Sequence, residues 1–264
     1  MLCNLTIPFH LPFRYNMQYK FYINQNRKQA IRSLQQLSFI KEEAMVELKT
    51  VSTIDALSER IESDIYSMYY APGAKITETD LTSRYAVSRN TVREAIAFLL
   101  SSGLLIKVAN KGVYVRKISI DDIREIFTLR GLLESEAVRS ITAYGIIPSS
   151  LFYLAEEVQS VNPENDWLHY IQADIKFHET LVEAADSPRL KRLYETILAE
   201  VKLCMYHSRN FVPLRKENSS AHLHLLNAME NDNLEEGLNI LHHHMEQAID
   251  SYEIGFKRKE VEQE

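Results

Sequence analysis

From Ile54 onward the apolar residues Ile54, Leu57, Ile61, Ile65 and Met68 recur at steps of three or four, which is the period of one helix face. The pattern stops at Ala71-Pro72-Gly73, a turn sequence. The stretch TETDLTSRYAV reads as a short second helix with Thr77 as its N-cap. Ser88 caps a third helix, whose inward side is Val92, Ile96, Leu99 and Leu100, and Gly103 ends it. The period then changes. LLIKVANKGVYVRKI shows two β-rich runs around Asn110-Lys111-Gly112, a hairpin signal. Three helices followed by a two-stranded wing predict a winged helix-turn-helix.

Beyond Ser119 every pattern is helical. Six segments stand out, over 120–145, 149–160, 164–185, 188–209, 216–230 and 233–256, divided by GIIPSS, NPEN, DSP, FVP and NDN. Ser119 and Asn233 are good caps for the first and last. Long amphipathic helices with short connections predict an antiparallel bundle. The fold class is therefore mainly α: an N-terminal winged helix-turn-helix over 51–118 and a C-terminal all-α antiparallel helical bundle over 119–264. Residues 1–50 have mixed polarity and weak periodicity, and read as a poorly ordered N-terminal extension. Met45 opens a stretch that looks like a natural start, and a basic arm touching DNA is the competing reading of what precedes it.

Composition narrows the class. The chain has 264 residues, room for about two domains, and 45% of them are hydrophobic. No run approaches the ~18 apolar residues of a membrane span. The opening MLCNLTIPFHLPF lacks a basic region followed by a cleavage site, and two cysteines make no disulfide framework, so a cytoplasmic protein is expected. The net charge of −6 is uneven: residues 51–118 carry +2 and residues 119–264 carry −12. An acidic bundle repels phosphate, so nucleic-acid contact has to come from the first half by local placement.

Local placement is what SRNTVRE offers. A recognition helix enters the major groove with its first turns forward. Ser88, Arg89, Asn90 and Arg93 sit there, and Arg89 and Arg93, four apart, share a face. An arginine fork engages guanine or clamps phosphate, and Asn90 is suited to adenine. At the wing tip Lys111 and Gly112 can approach the DNA backbone or minor groove. The competing reading pairs these arginines with surface acids.

A second chemistry lies downstream. Asp174 and His178 are four apart in DIKFH and project from one helical face; His222 and His244 lie on two later helices. Helices of a bundle can bring such side chains together in its core. Three imidazoles and a carboxylate suit Zn, Ni, Mn or Fe as divalent ions. Periodicity favours His244 over its neighbours, because it flanks the inward stripe of Leu234, Leu238, Leu241, Met245 and Ala248, and it sends His224 away from His222. An Asp-x-x-x-His surface pair is the alternative. Arg130 is a candidate partner for a carboxylate; the alternative is a surface pair with Glu134.

The stretch PGAKITETDLTSRYAVSRNTVREAIAFLLSSGLLIKVANKGVYV resembles the DNA-binding domain of the GntR family of bacterial transcription regulators. EIFTLRGLLESEAV, DIKFHETLVEAADSPRL and AHLHLLNAMENDNLEEGLNILHHH resemble, in order, the FCD ligand-binding domain of its FadR-like subfamily. The resemblance implies that Arg89, Asn90, Arg93, Lys111 and Gly112 face DNA, and that Asp174, His178, His222 and His244 hold a metal. Three departures stand out. Asn90 replaces a common threonine, Thr79 stands where some members have a DNA-contacting arginine, and Ser187 replaces an asparagine near the cavity.

The expected function is a ligand-responsive, sequence-specific transcription regulator, a repressor by preference. It would bind a double-stranded DNA operator as a homodimer, hold a divalent metal with zinc first, and answer to a small carboxylate effector. A metal-sensing regulator and a metal-dependent hydrolase are the alternatives, and the hydrolase lacks a separate general base.

Overall fold

The computed structural model describes residues 52–208 and 220–261. The expectation for residues 1–50 lies outside them. Helix α1 spans Thr53–Tyr66, strand β1 Lys75–Ile76, α2 Glu78–Tyr85, α3 Arg89–Ser101, β2 Leu105–Val108 and β3 Gly112–Val115. The bundle follows as α4 (Ile120–Tyr144), α5 (Ser149–Ser160), α6 (Trp167–Ala184), α7 (Pro188–His207), α8 (Ala221–Glu230) and α9 (Leu234–Val261).

Caps explain most of the boundaries. Ser52, Thr77 and Ser88 each accept a hydrogen bond from the backbone N–H three residues on, satisfying a donor the helix leaves open. Ser119 and Asp122 form a reciprocal capping box at the start of α4. Ser187 accepts from the Leu190 amide and caps α7, so its place in this fold is at a helix start. Helix α1 stops earlier than its apolar pattern suggests: Ser67 is its C-cap, Met68 turns to φ 65°, and the Met68 side chain is exposed.

The wing differs from expectation by one strand. The sheet has three strands in the order β1-β3-β2, all antiparallel, with Lys75 opposite Tyr114 and Ile76 opposite Val113. Two residues are too few to show an alternating pattern, which is why β1 is invisible to periodicity.

Two apolar cores form. One gathers Ile61, Ile65, Leu81, Val92, Leu99, Leu105 and Val115 under helix α3. The turn between α2 and α3 passes through Ala86 at φ 53°. The buried carboxylate of Asp64 on α1 accepts from Arg84 Nη2 (2.7 Å) and from the Tyr85 hydroxyl (2.8 Å), which ties α1 to the end of α2. The second core fills the bundle, and α4 runs through its middle, packed against α6, α7 and α9.

Helix α7 belongs to both cores. Leu203 is fully buried in the winged-helix core, while Cys204 and Met205 next to it are buried in the bundle. Tyr206 stacks on Tyr66 at 5.0 Å, the Tyr66 hydroxyl donates to the Ala199 carbonyl (3.3 Å), and His207 Nε2 donates to the Ile65 carbonyl (3.0 Å).

Candidate functional site

The bundle places the four sequence-selected ligands together. Asp174 and His178 lie one turn apart on α6, His222 in the first turn of α8 and His244 midway along α9. Their candidate ligand atoms all lie within 4.8 Å of one another. Asp174, His178 and His222 are buried, and His244 is partly so. His222 Nε2 is 3.2 Å from Asp174 Oδ1 and 3.1 Å from His178 Nε2. The His178 and His244 rings stack at 5.3 Å, and His222 meets His244 edge-on at 4.8 Å. His242, His243 and His224 point outward, as periodicity predicts.

Beneath this group sits a charged cluster that the sequence shows only in part. Arg130 and Glu134 do pair at i, i+4, with Nε donating at 2.8 Å, but the pair is almost completely buried, not on the surface. Glu134 is the hub. Its carboxylate accepts from His178 Nδ1 (2.7 Å), Arg130 Nε (2.8 Å) and the Tyr194 hydroxyl (2.9 Å). Burial alone would raise its pKa; the charges of His178 and Arg130 outweigh burial and hold it down at about 2. Asp174 is pulled well below the usual carboxylate range in the same way, against burial, by His178, His222 and Arg130. Burial pushes His178 below its ordinary value, helped by Arg130 and opposed by Glu134 and Asp174; it pushes His244 well below, helped by His222 and His178. Both rings are thus neutral at pH 7, the form that binds a metal.

Among the described residues, three of the buried polar atoms that lack a hydrogen-bond partner gather at this site: Arg130 Nη2, His222 Nδ1 and His244 Nδ1. Buried polar atoms are normally satisfied, so three orphans around one spot mark a place built for something else. Two anionic carboxylates, three imidazoles and convergent ligand atoms fit a divalent transition ion. Arg130 Nη2 lies 3.7 Å from Asp174 Oδ2, close to the ligand set and with its donor unspent.

Glu134 is placed to support the candidate ligand His178 from behind. By accepting from His178 Nδ1 it fixes the tautomer that turns Nε2 toward Asp174 and His222. Glu134→Gln keeps the size and loses the charge. It is expected to weaken metal binding about 10- to 100-fold, read by competition with a chromogenic chelator. Unchanged affinity would show that His178 needs no such support.

In the winged helix-turn-helix, Ser88, Arg89, Asn90 and Arg93 are on the exposed first turns of α3. Asn90 donates to Glu94 (2.7 Å), and Arg93 Nε donates to both Glu78 oxygens (2.9 and 3.0 Å). Arg89 is exposed, and its charge, after the Arg93 hydrogen bond, helps hold the Glu78 carboxyl below its ordinary value. Lys111 and Gly112 sit at the hairpin turn, with Asn110 at φ 59° and Gly112 at φ 115°. The Arg93–Glu78 contact is the surface pairing that the competing reading expects, while Lys75 and Lys107 beside the wing have no signal in the sequence, because the HTH pattern draws attention to α3 and away from the neighbouring strands.

The arrangement agrees with known proteins. Residues 53–115 match the family described as bacterial regulatory proteins, gntR family, and residues 125–247 match the FCD domain. The chain is 30% identical over 210 residues to the HTH-type transcriptional regulator BphR of Paraburkholderia xenovorans, covering 75% of this chain and 84% of that one. It is 29% identical over 174 residues to the HTH-type transcriptional repressor RspR of Escherichia coli, covering 64% and 75%. A GntR transcriptional regulator from Rhodococcus sp. RHA1 superimposes with a TM-score of 0.65 at 25% identity, over 75% of this chain and 95% of that one. With a winged helix-turn-helix in front and an FCD bundle behind, the chain belongs to the GntR family of DNA-binding transcription regulators.

Proposed function

We propose that this regulator holds a divalent metal in its FCD bundle and changes its grip on an operator when a small carboxylate binds beside that metal. The observation that carries the reading is the convergence of Asp174, His178, His222 and His244, from three helices, beside an arginine with a spare buried donor. When bound, the metal supplies a Lewis-acid centre that a carboxylate oxygen can meet. Arg130 offers the second point of attachment, since a guanidinium donates well to carboxylates. Glu134 and Tyr194 keep both groups in place.

Communication with DNA has a physical route. Helix α7 touches the site through Tyr194 on Glu134 and through Met205, whose sulfur accepts from Arg130 Nη1 at 3.7 Å. The same helix inserts Leu203 into the winged-helix core. The 117–122 junction gives a second link: Arg116 of the wing contacts Glu200 of α7 (3.2 Å) and Asp122 of the α4 capping box (4.0 Å). A ligand that prefers one setting of α7 shifts the winged helix with it. A homodimer places two recognition helices on a pseudo-palindromic operator. Exposed leucines on α4 (Leu129, Leu132) and α7 (Leu193) are apolar surface for such pairing. Repression is the preferred direction, in keeping with the repressor RspR.

A thermal-shift screen of small carboxylates, with metal-loaded and chelator-treated protein side by side, tests the reading. At about a hundred times its Kd, the right carboxylate should raise the loaded protein's Tm by roughly 5–10 °C and leave the stripped protein unmoved. Equal shifts in both would detach the effector from the metal. Operator affinity that follows metal alone, with no carboxylate response, would mean that the metal is itself the effector.

A further inference from the structure

Beside α3 lies a groove that the helix-turn-helix alone does not account for; Ile76, Ile96, Leu100 and Val113 line it along with several basic side chains. It has a volume of about 420 Å³ and runs between α3 and the wing. Lys75 of β1, Lys107 of β2 and Lys111 of the hairpin turn line it, together with Arg93 and Glu78. The three lysines come from two separate stretches of chain, strand β1 and the β2–β3 hairpin. Strand β1 is only two residues long, yet it is pinned: Ile76 is buried opposite Val113, which fixes the backbone that carries Lys75. The Lys75 side chain then reaches the wing, where a Cβ on Gly112 would lie 3.2 Å from its Cε.

Among the described residues, no carboxylate pairs with Lys75, Lys107 or Lys111. In the bundle, by contrast, Lys176, Lys191 and Lys202 each have an acidic partner. The one carboxylate lining the groove, Glu78, is already taken by Arg93. Three lysines beside the mutually neutralised Arg93–Glu78 pair make a local positive field on a chain whose net charge is −6. The lysines are exposed and flexible, and no buried donor joins them, so the groove does not select a small anion. It suits a polyanion, which gathers several weak contacts and releases counterions at each. The groove is also continuous with the exposed turns of α3.

We propose that Lys75 and Lys107 are DNA-contacting residues that, with Lys111, hold the phosphate backbone of one strand against the wing. This rests on the reading of α3 as the DNA-facing helix. These contacts position the protein and read no base, so they act equally on all sequences.

The test needs no operator. Binding of the full chain to a random-sequence 30-base-pair duplex is followed by fluorescence anisotropy over a series of KCl concentrations. Each phosphate contact contributes about 0.9 to the slope of log K against log salt. Lys75→Gln and Lys107→Gln should each flatten the slope by about one, the double variant by about two, and Lys75→Arg with Lys107→Arg should keep it. Circular dichroism melts of the variants should match the parent, because both side chains lie outside the cores. A parent that binds with a salt-dependent slope the double glutamine variant retains would overturn the proposal and leave the α3 reading intact. A parent with no salt-dependent binding to duplex DNA would overturn the α3 reading as well.

Discussion

His178→Ala is expected to lose its metal. His178 occupies the centre of the candidate site: its Nε2 faces His222 and Asp174, and its Nδ1 is held by Glu134. Removing it takes away one of four ligands and the link between the ligand set and the charged cluster below. The drop in affinity should exceed the ~100-fold that loss of an outer-shell partner causes. After dialysis against metal-free buffer, elemental analysis should find the parent loaded and the variant nearly bare. The variant also leaves a space and a weakened hub in a packed core, so its Tm falls even without metal. His244→Gln separates the two effects. It lies at the partly exposed edge of the site, so the fold should survive while metal is still lost. Full occupancy in both variants would remove the quartet from consideration.

The metal dependence should carry a pH signature. Asp174 and Glu134 have folded pKa values below their unfolded ones. Their stabilising contribution is present above the ordinary carboxylate range and is lost as pH falls through the depressed values. His178 and His244 are depressed as well, chiefly by burial, so these rings take up protons at lower pH than ordinary imidazoles do. The site is therefore expected to keep its ion into mildly acidic solution, which a pH titration of bound metal would read.

Different parts of this molecule were legible to different degrees, for physical reasons. Helices with a full apolar face announced themselves, and so did their starts, because the caps Ser88 and Ser119 act through local hydrogen bonds. Strand β1 did not, since a two-residue strand exists only through its partner β3. The clustering of Asp174, His178, His222 and His244 was reachable partly because they lie on helices whose inward stripes can be counted, and partly through the FCD resemblance. Glu134 was not singled out as a hub. At i+4 from Arg130 it looks like any exposed helix pair, and only the packing of α6 and α7 around it shows that both charges are buried. The double membership of α7 was equally hidden: Leu203, Cys204 and Met205 are consecutive apolar residues, and nothing in their spelling assigns one to each core. Sequence periodicity reports that a face is buried; it does not report against what.

Arg93→Ala is expected to weaken operator binding about 5- to 100-fold, the range of losing one bidentate base contact, with secondary structure and Tm unchanged. The argument has to meet the Glu78 pair, which engages Arg93 through Nε in the absence of DNA. Both side chains are substantially exposed, at 63% and 40%, and exposed pairs are screened by salt and easily exchanged. Glu78 takes Nε, and neither of its bonds goes to the terminal nitrogens of the guanidinium. The carboxylate thus holds the arm extended over the groove without occupying the fork that would read a guanine. An operator selected from a random duplex pool supplies the assay. Comparing it with an unselected duplex distinguishes two roles for Arg93. A base contact lowers affinity for the operator alone, so the specificity ratio falls; a phosphate contact lowers both equally and flattens the salt slope by about one. Glu78→Gln should leave operator affinity within a few-fold of the parent. If Arg93→Ala binds the operator as the parent does, the pair with Glu78 is the arginine's whole purpose, and recognition has to be sought in Arg89 and Asn90.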